Sequence, residues 1–129
     1  MEYNIINQSA AGAFAAARSA GVGVISRVPL NRGYLSGRFD ESSRFAEGDT
    51  RKRSLTPENL RKFQGRLDAV KAVAAQLGVS PAELAIRFCA TNPNASCVIP
   101  GVRTVAQAEH NAAAAEPLPP ETMQKLLDG

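Results

Sequence analysis

Tryptophan is absent from this chain, histidine occurs once, at His110, and only two cysteines are present, Cys89 and Cys97. Without a cluster of His, Cys, Asp or Glu at metal-ligand spacing, the sequence predicts no metal site. The cysteines lack CxxC spacing and lie among apolar neighbours, so we expect two buried thiols and no disulfide. No Gly-x-Ser-x-Gly, Walker A or Gly-x-Gly-x-x-Gly motif occurs, and the residues therefore favour a binding function.

Long hydrophobic runs are also missing. No apolar stretch approaches the ~20 residues of a membrane span, and the N-terminus lacks the basic and apolar regions of a signal peptide. The 129 residues are 44% hydrophobic, which predicts one cytoplasmic domain with one core. The formal net charge of +3 comes without the long basic runs of a nucleic-acid tail. We therefore expect neither nucleic acid nor a membrane as a partner, whereas small anions suit this charge.

Start and stop signals along the chain predict the order β-α-β-loop-α-α-β-α-α. Strands are predicted at 2–6, 22–26 and 97–99, each buried on both faces as in a parallel sheet. Ser9, Thr56, Ser80 and Thr104 are the expected helix N-caps, and the last helix covers 121–128. The loop at 27–54 is long for a compact domain, which is typical of a segment that covers a ligand or of a plain connector. Its cluster at 51–53 is predicted to be a solvated basic patch.

An anion site is predicted where the third strand meets the next helix. Thr104 and Gln107 have the spacing of a capping box, which predicts a helix from Val105. Free backbone N–H groups at a helix N-terminus favour an anion, and the planar guanidinium of Arg103 suits a phosphate. Gln107 and Asn111 share one helix face and can bind what the phosphate carries. The alternative is a capped surface helix with an exposed arginine.

Segments in matching order and spacing resemble the aldo-keto reductases. Tyr3-Asn4 resembles the family's sixth strand. The other segments are similar to its seventh strand with the following loop, its seventh outer helix, and its eighth strand and helix: 21–30 (GVGVISRVPL) with 32–37 (RGYLSG), 80–86 (SPAELAI), and 98–103 (VIPGVR) with Gln107 and Asn111. Many members of the family differ from this chain at Arg27-Val28 and at His110.

The resemblance implies an α/β fold, the (β/α)₈ barrel, and an enzyme that reduces aldehydes and ketones with NADP(H). Residues 1–129 would form one incomplete domain, the C-terminal portion with about strands 6–8 and their helices. Four groups of residues are implied to bind the cofactor. They are Pro29, Leu30, Asn31 and Arg32 for the pyrophosphate, Arg38 near the phosphates, Gly101 and Arg103 for the 2′-phosphate, and Gln107 and Asn111 for the adenine.

The resemblance also implies that no catalytic residue lies in this chain. The family's catalytic Asp, Tyr, Lys and His belong to its first half and have no counterpart here, so we expect a truncated reductase without activity of its own. Two alternatives stay open. One is an inactive nucleotide-binding fragment that self-associates, and the other is an interaction protein that complements an N-terminal half.

Overall fold

Helices dominate the computed structural model, which describes residues 1–128. The two strands and the helical elements follow one another in this order: α1 Ala11–Ser19, β1 Ile25–Arg27, a 3₁₀ turn Tyr34–Ser36, α2 Arg51–Ser54, α3 Pro57–Leu77, α4 Pro81–Thr91, β2 Cys97–Ile99, α5 Val105–Ala113 and α6 Pro120–Asp128. Within the described residues no single helix is long and apolar enough to cross a membrane. Helices α3 and α4 reach that length and hydropathy only together, across a 91° bend.

The sheet consists of β1 and β2, which pair in parallel. Glu2 adds an isolated parallel bridge to Arg27 on the other side of β1. The prediction of a strand at 2–6 is wrong beyond this bridge, because the chain turns at Asn4. There the side-chain oxygen of Asn4 accepts hydrogen bonds from the backbone N–H groups of Ile6 and Asn7, at 3.0 and 2.9 Å. Such an Asx turn competes with strand pairing.

The prediction that both faces of the strands are buried is wrong as well. Side chains of a strand alternate between faces, and the helices cover only one face of this sheet. Val24 and Ser26 are buried on the covered face, whereas Ile25 is 53% exposed and Ile99 is 54% exposed. Cys97 lies on the open face and is exposed, so the prediction of two buried thiols holds for Cys89 alone.

Helices α3 and α4 begin where the sequence predicts. The Thr56 hydroxyl accepts a hydrogen bond from the Asn59 N–H at 3.2 Å, and the Ser80 hydroxyl accepts one from the Glu83 N–H at 3.1 Å. In both helices a proline follows the cap, where its missing N–H costs nothing. The buried faces of these helices supply much of the core: Leu60, Leu67, Val70, Val73, Ala74, Leu84, Ala85, Phe88 and Cys89.

Helix α1 is attached to this core by one buried side chain, Phe14. Its ring packs against Tyr3 with 5.1 Å between centroids, and Tyr3 stacks on Phe88 of α4 at 5.5 Å. The predicted N-cap of this helix, Ser9, is wrong because its hydroxyl donates to the side-chain oxygen of Asn7 at 2.7 Å. The helix begins after Ala10 without a side-chain cap.

Arg66 of α3 joins two segments that are far apart in sequence. One guanidinium nitrogen, Nη2, donates to the carbonyl oxygens of Ile5 and Leu126, at 3.1 and 2.6 Å. Nε of the same side chain lies 3.3 Å from the Ile5 oxygen. The guanidinium thereby holds the N-terminal segment and α6 against α3.

Candidate functional site

The segments that follow β1 and β2 leave the sheet at the same edge. The strands run parallel, and their last residues, Arg27 and Ile99, are partners in the register. The carboxyl ends of neighbouring parallel strands are the usual place for ligands in α/β folds. Two segments meet there, which we name the β1 loop (28–33) and the β2 turn (100–104).

The β1 loop has a backbone that L-residues rarely adopt. Val28, Asn31 and Arg32 have φ angles of 61°, 45° and 57°, and Gly33 has 92°. A β-branched residue such as Val28 is a marked outlier in the left-handed region. Consecutive unusual turns of this kind make backbone concavities that attract anions. Among the described residues, the N–H groups of Leu30 and Arg32 donate to no acceptor and remain available to a ligand.

The four predicted pyrophosphate residues occupy different depths in the β1 loop. Pro29 is fully buried, Asn31 is buried and Leu30 is half-buried. The Asn31 N–H donates to the Val28 oxygen at 3.0 Å, so this group closes a turn and is not free. Arg32 is exposed, and its guanidinium lies 3.7 Å from the Glu2 carboxylate. The buried Pro29 and the half-buried Leu30 therefore anchor the loop.

The β2 turn ends in a reciprocal cap on α5. The Thr104 hydroxyl accepts a hydrogen bond from the Gln107 N–H at 3.2 Å, as the capping-box spacing predicts. The Gln107 side-chain oxygen accepts one from the Arg103 N–H at 2.8 Å. Among residues 1–128, the N–H groups of Val105 and Ala106 donate to no acceptor, and the Arg103 guanidinium makes no ion pair. A positive helix end thus lies beside an exposed cation.

The remaining predicted residues of this helix and turn face different surroundings. Gln107 uses its oxygen in the cap, which leaves its amide N–H₂ group for a ligand. Asn111 lines a cavity of about 220 Å³ together with Pro100, and its buried Nδ2 has no hydrogen-bond partner among the described residues. Gly101 is exposed, and an added Cβ would meet nothing within 4 Å. The structure therefore brings Arg103 and Gln107 together and turns Asn111 toward β2.

Arg38 is exposed just after the 3₁₀ turn, where Gly37 has a φ of 76°. The loop that follows Arg38 packs around a second arginine, Arg51, which we predicted to be solvated. The Arg51 guanidinium lies over the rings of Phe39 and Phe45, 5.4 and 4.9 Å from their centroids. It also donates from Nε to both carboxylate oxygens of Asp49, at 2.9 and 3.0 Å. The prediction of a solvated patch is therefore wrong for Arg51.

The Asp49 carboxyl group links this loop to the β2 turn electrostatically. Hydrogen bonds from Arg51 are the main cause that lowers the pKa of Asp49 to about 2, and the charge of Arg103 makes the smallest contribution in the same direction. In the sequence, the Asp-x-Arg spacing with two nearby phenylalanines is the available signal for this cluster. It does not indicate which distant residue acts on the Asp49 carboxylate.

His110 is exposed on α5, and its Nδ1 lies 2.6 Å from the Ala106 oxygen. A carbonyl oxygen can only accept, so Nδ1 carries the hydrogen in this contact. Among residues 1–128, no three side chains of His, Cys, Asp or Glu are grouped to hold a metal ion. The backbone N–H groups, the helix end and the arginine at this edge are donors of the kind that suit an anion.

The chain matches known proteins over most of its length. The model of the family described as "Aldo/keto reductase family" matches residues 1–128. The chain is 38% identical over 117 residues to a probable voltage-gated potassium channel subunit beta of Oryza sativa subsp. japonica, covering 82% of this chain and 34% of that protein. It is 26% identical over 102 residues to the aldo-keto reductase yakc [NADP(+)] of Schizosaccharomyces pombe, covering 78% of this chain and 30% of that protein.

Among solved structures, the glycerol dehydrogenase of Gluconobacter oxydans superposes with a TM-score of 0.85 at 19% identity, covering 98% of this chain and 40% of that one. At this identity the match concerns the fold. The chain spans about a third of the length of the curated relatives that it matches.

Proposed function

Because the chain belongs to the aldo/keto reductase family, we propose that it is the NADP(H)-binding part of an oxidoreductase that reduces aldehydes or ketones. In this proposal residues 1–128 form the C-terminal portion of a (β/α)₈ barrel. The N-terminal segment with Glu2 is the sixth strand, and β1 and β2 are the seventh and eighth. The resemblance of the motifs supports this order, and so does the parallel pairing of all three segments.

One observation carries the proposal. Two neighbouring parallel strands deliver, at one edge, a loop with free N–H groups at Leu30 and Arg32 and a helix end preceded by Arg103. NADP(H) carries two groups of phosphates, a pyrophosphate and a 2′-phosphate. Backbone N–H groups and helix ends bind phosphate oxygens well, and arginine binds them in a bidentate way. The donors present at this edge fit such a ligand.

Each segment has a different role in this assignment. The β1 loop holds the pyrophosphate, which NADPH and NADH share. The exposed Arg103 guanidinium, with the free N–H groups of Val105 and Ala106, holds the 2′-phosphate, which only NADPH has. The amide of Gln107 is available to the adenosine beside it. Arg103 is therefore the residue that gives this site its preference for NADPH.

The cofactor, once bound, supplies the hydride for carbonyl reduction. The residues of this chain bind and orient it, and the resemblance assigns the proton donor of the family to a segment outside these 129 residues. We therefore propose that oxidoreductase activity requires that further segment, whereas dinucleotide binding is a property that the chain itself can be tested for.

The experiment is a fluorescence titration of the chain with NADPH and with NADH, repeated on Arg103→Ala. We expect the chain to prefer NADPH, and Arg103→Ala to lose about 1–3 kcal/mol of NADPH binding free energy, the range for a charged hydrogen-bonding group. Binding of NADH should change little, because NADH has no 2′-phosphate.

Arg18→Ala is the matched control, since Arg18 is an exposed cation on α1 and its loss changes the net charge equally. It should leave both affinities unchanged. Equal affinities of the unaltered chain for the two dinucleotides would contradict the role of Arg103, and binding of neither would contradict the proposed function.

A further inference from the structure

The β1 loop keeps an unfavourable backbone conformation that something else must hold. Val28, with a φ of 61°, is the residue at which the chain leaves β1 and enters the loop. Left-handed backbone at a β-branched residue persists only where the surroundings fix it. Hydrogen bonds within the loop are local. The Val28 oxygen accepts one from the Asn31 N–H, and the Leu30 oxygen accepts from the N–H groups of Gly33 and Leu35.

Asn4 provides an external tie to the strained residue. Its side chain is completely buried, with 0% exposure. The amide Nδ2 donates to the Val28 oxygen at 3.0 Å, across 24 residues of sequence. The amide oxygen is occupied at the same time by the N–H groups of Ile6 and Asn7. The amide is thus clamped at one end by a tight turn, and its other end holds the Val28 carbonyl group.

Neighbouring contacts support the same connection between the N-terminal segment and β1. The Tyr3 N–H donates to the Arg27 oxygen at 3.3 Å, and the Arg27 N–H donates to the Met1 oxygen at 3.0 Å. The Glu2 carboxylate faces the Arg32 guanidinium farther along the loop. Of these contacts, only the one from Asn4 is made by a fully buried side chain to the outlier residue itself.

We propose that Asn4 is a positioning residue that holds the β1 loop in the conformation in which its free N–H groups donate hydrogen bonds to phosphate oxygens. This inference rests on the proposed function and adds a residue that touches no ligand. Removal of the amide lets Val28 relax toward ordinary φ values, and the fraction of molecules with a competent loop falls. The apparent affinity for the dinucleotide is the intrinsic affinity multiplied by that fraction, so it falls in proportion.

The positioning role of Asn4 predicts changes in the NADPH and NADH affinities that differ from those expected for Arg103→Ala. The β1 loop faces the pyrophosphate, which both dinucleotides contain. Asn4→Ala, which removes the donor and the acceptor, and Asn4→Asp, which replaces the donor with a carboxylate oxygen, should each weaken NADPH and NADH binding by about tenfold. The ratio between the two affinities should not change. Arg103→Ala, in contrast, changes that ratio.

Asn92→Ala is the matched control for a loss of stability. Asn92 is also a buried asparagine, and its side-chain oxygen accepts from the Asn94 N–H at 3.0 Å in a turn after α4. This variant should lower the free energy of unfolding and leave both affinities unchanged, at temperatures where it is folded.

Amide hydrogen exchange provides a second readout that needs no ligand. In Asn4→Asp the amides of Asn31, Gly33 and Leu35, which close the β1 loop, should exchange faster than in the unaltered chain, while amides of α3 and α4 keep their rates. Unchanged exchange in the loop overturns the positioning role, and so does dinucleotide affinity that survives both Asn4 variants. If the unaltered chain binds neither dinucleotide, the proposed function fails, and exchange alone decides whether Asn4 holds the loop.

Discussion

Cys89 and Cys97 differ in how much water reaches them, and this difference sets their chemistry. Cys89 is fully buried on α4, and its thiol donates to the Tyr3 oxygen at 3.3 Å. Burial raises the pKa of the Cys89 thiol from 9.0 to about 12. Cys97 is exposed on the open face of the sheet. The sequence around both cysteines is apolar. Cys97 is exposed because the alternation of side chains along β2 turns it to the open face of the sheet.

Stability in alkali should therefore depend on Cys89. The folded-state pKa of this thiol lies above its unfolded value, so the contribution is complete below about pH 9 and is lost as pH rises toward 12. The free energy of unfolding should fall over this range, by up to about 1.4 kcal/mol per pH unit from this one group. Urea unfolding of the chain at several pH values measures the slope. Burial also raises the pKa values of Tyr3 and Tyr34, which add to the fall.

Cys89→Ala should be less stable at neutral pH and should show a shallower decline in alkali. Cys97→Ala serves as the comparison, and its slope should match that of the unaltered chain. A Cys89→Ala variant with the original slope would show that other groups account for the alkaline loss.

At the level of the helices, local signals determine where an element begins. Ser80 and Thr56 are N-caps whose hydroxyls accept backbone hydrogen bonds, and each precedes a proline. These signals involve residues within one turn of each other, so the sequence predicts α3 and α4 well. Helix α1 lacks such a cap, because the nearby Ser9 hydroxyl is engaged by Asn7, and its predicted start is wrong.

Ser80→Ala should destabilise the fold by about 1 kcal/mol, the usual cost of losing an N-cap. The physical reason is the Glu83 N–H, which loses its acceptor at the start of a helix with a buried face. Chemical denaturation measures the change. Ser19→Ala is a suitable reference, since the exposed Ser19 hydroxyl donates to a carbonyl within α1 and caps no N-terminus. A loss from Ser19→Ala equal to that from Ser80→Ala would contradict the assignment.

The strands were the harder elements to predict, for a physical reason. Apolar residues at 22–26 and 97–99 are compatible with burial on one face or both, and periodicity cannot distinguish them over so few residues. At the N-terminus, the β-formers Tyr3, Ile5 and Ile6 favour a strand, but the Asx turn of Asn4 prevails. The amide nitrogen of the same side chain also donates to the Val28 oxygen, a contact that local sequence does not contain.

On the scale of the whole molecule, one face of the sheet has no covering layer among the described residues. Ile25 and Ile99 are about half exposed there, next to the exposed Cys97. Exposed apolar sheet surfaces and free strand edges favour association. We therefore expect the chain to self-associate as its concentration rises, and sedimentation velocity over a range of concentrations measures this.

The double variant with Ile25→Thr and Ile99→Thr should weaken the association by about tenfold, because it removes apolar area from the open face. Val22→Thr is the control, since Val22 is also exposed but precedes β1. Association that is unchanged in the double variant with Ile25→Thr and Ile99→Thr would place the contact elsewhere on the molecule.

The candidate site was predictable in part. Its capping box, Arg103 and the proline-containing loop are local motifs, and the sequence indicated that two strand ends carry them. The effect of the Arg103 charge on the pKa of Asp49 and the hydrogen bond from Asn4 to Val28 join residues that are far apart in sequence. Such pairings are products of the complete packing, and no spacing within a single segment encodes them.

The double hydrogen bond of Arg66 has a consequence for chain connectivity. One nitrogen binds the carbonyl groups of Ile5 and Leu126, so these two residues, near the two ends of the described chain, lie close together. The two ends of such a fold can be joined by a short peptide and the backbone reopened in an exposed loop. Circular permutation, with new termini near the exposed Gly48, should therefore preserve the packing around α3.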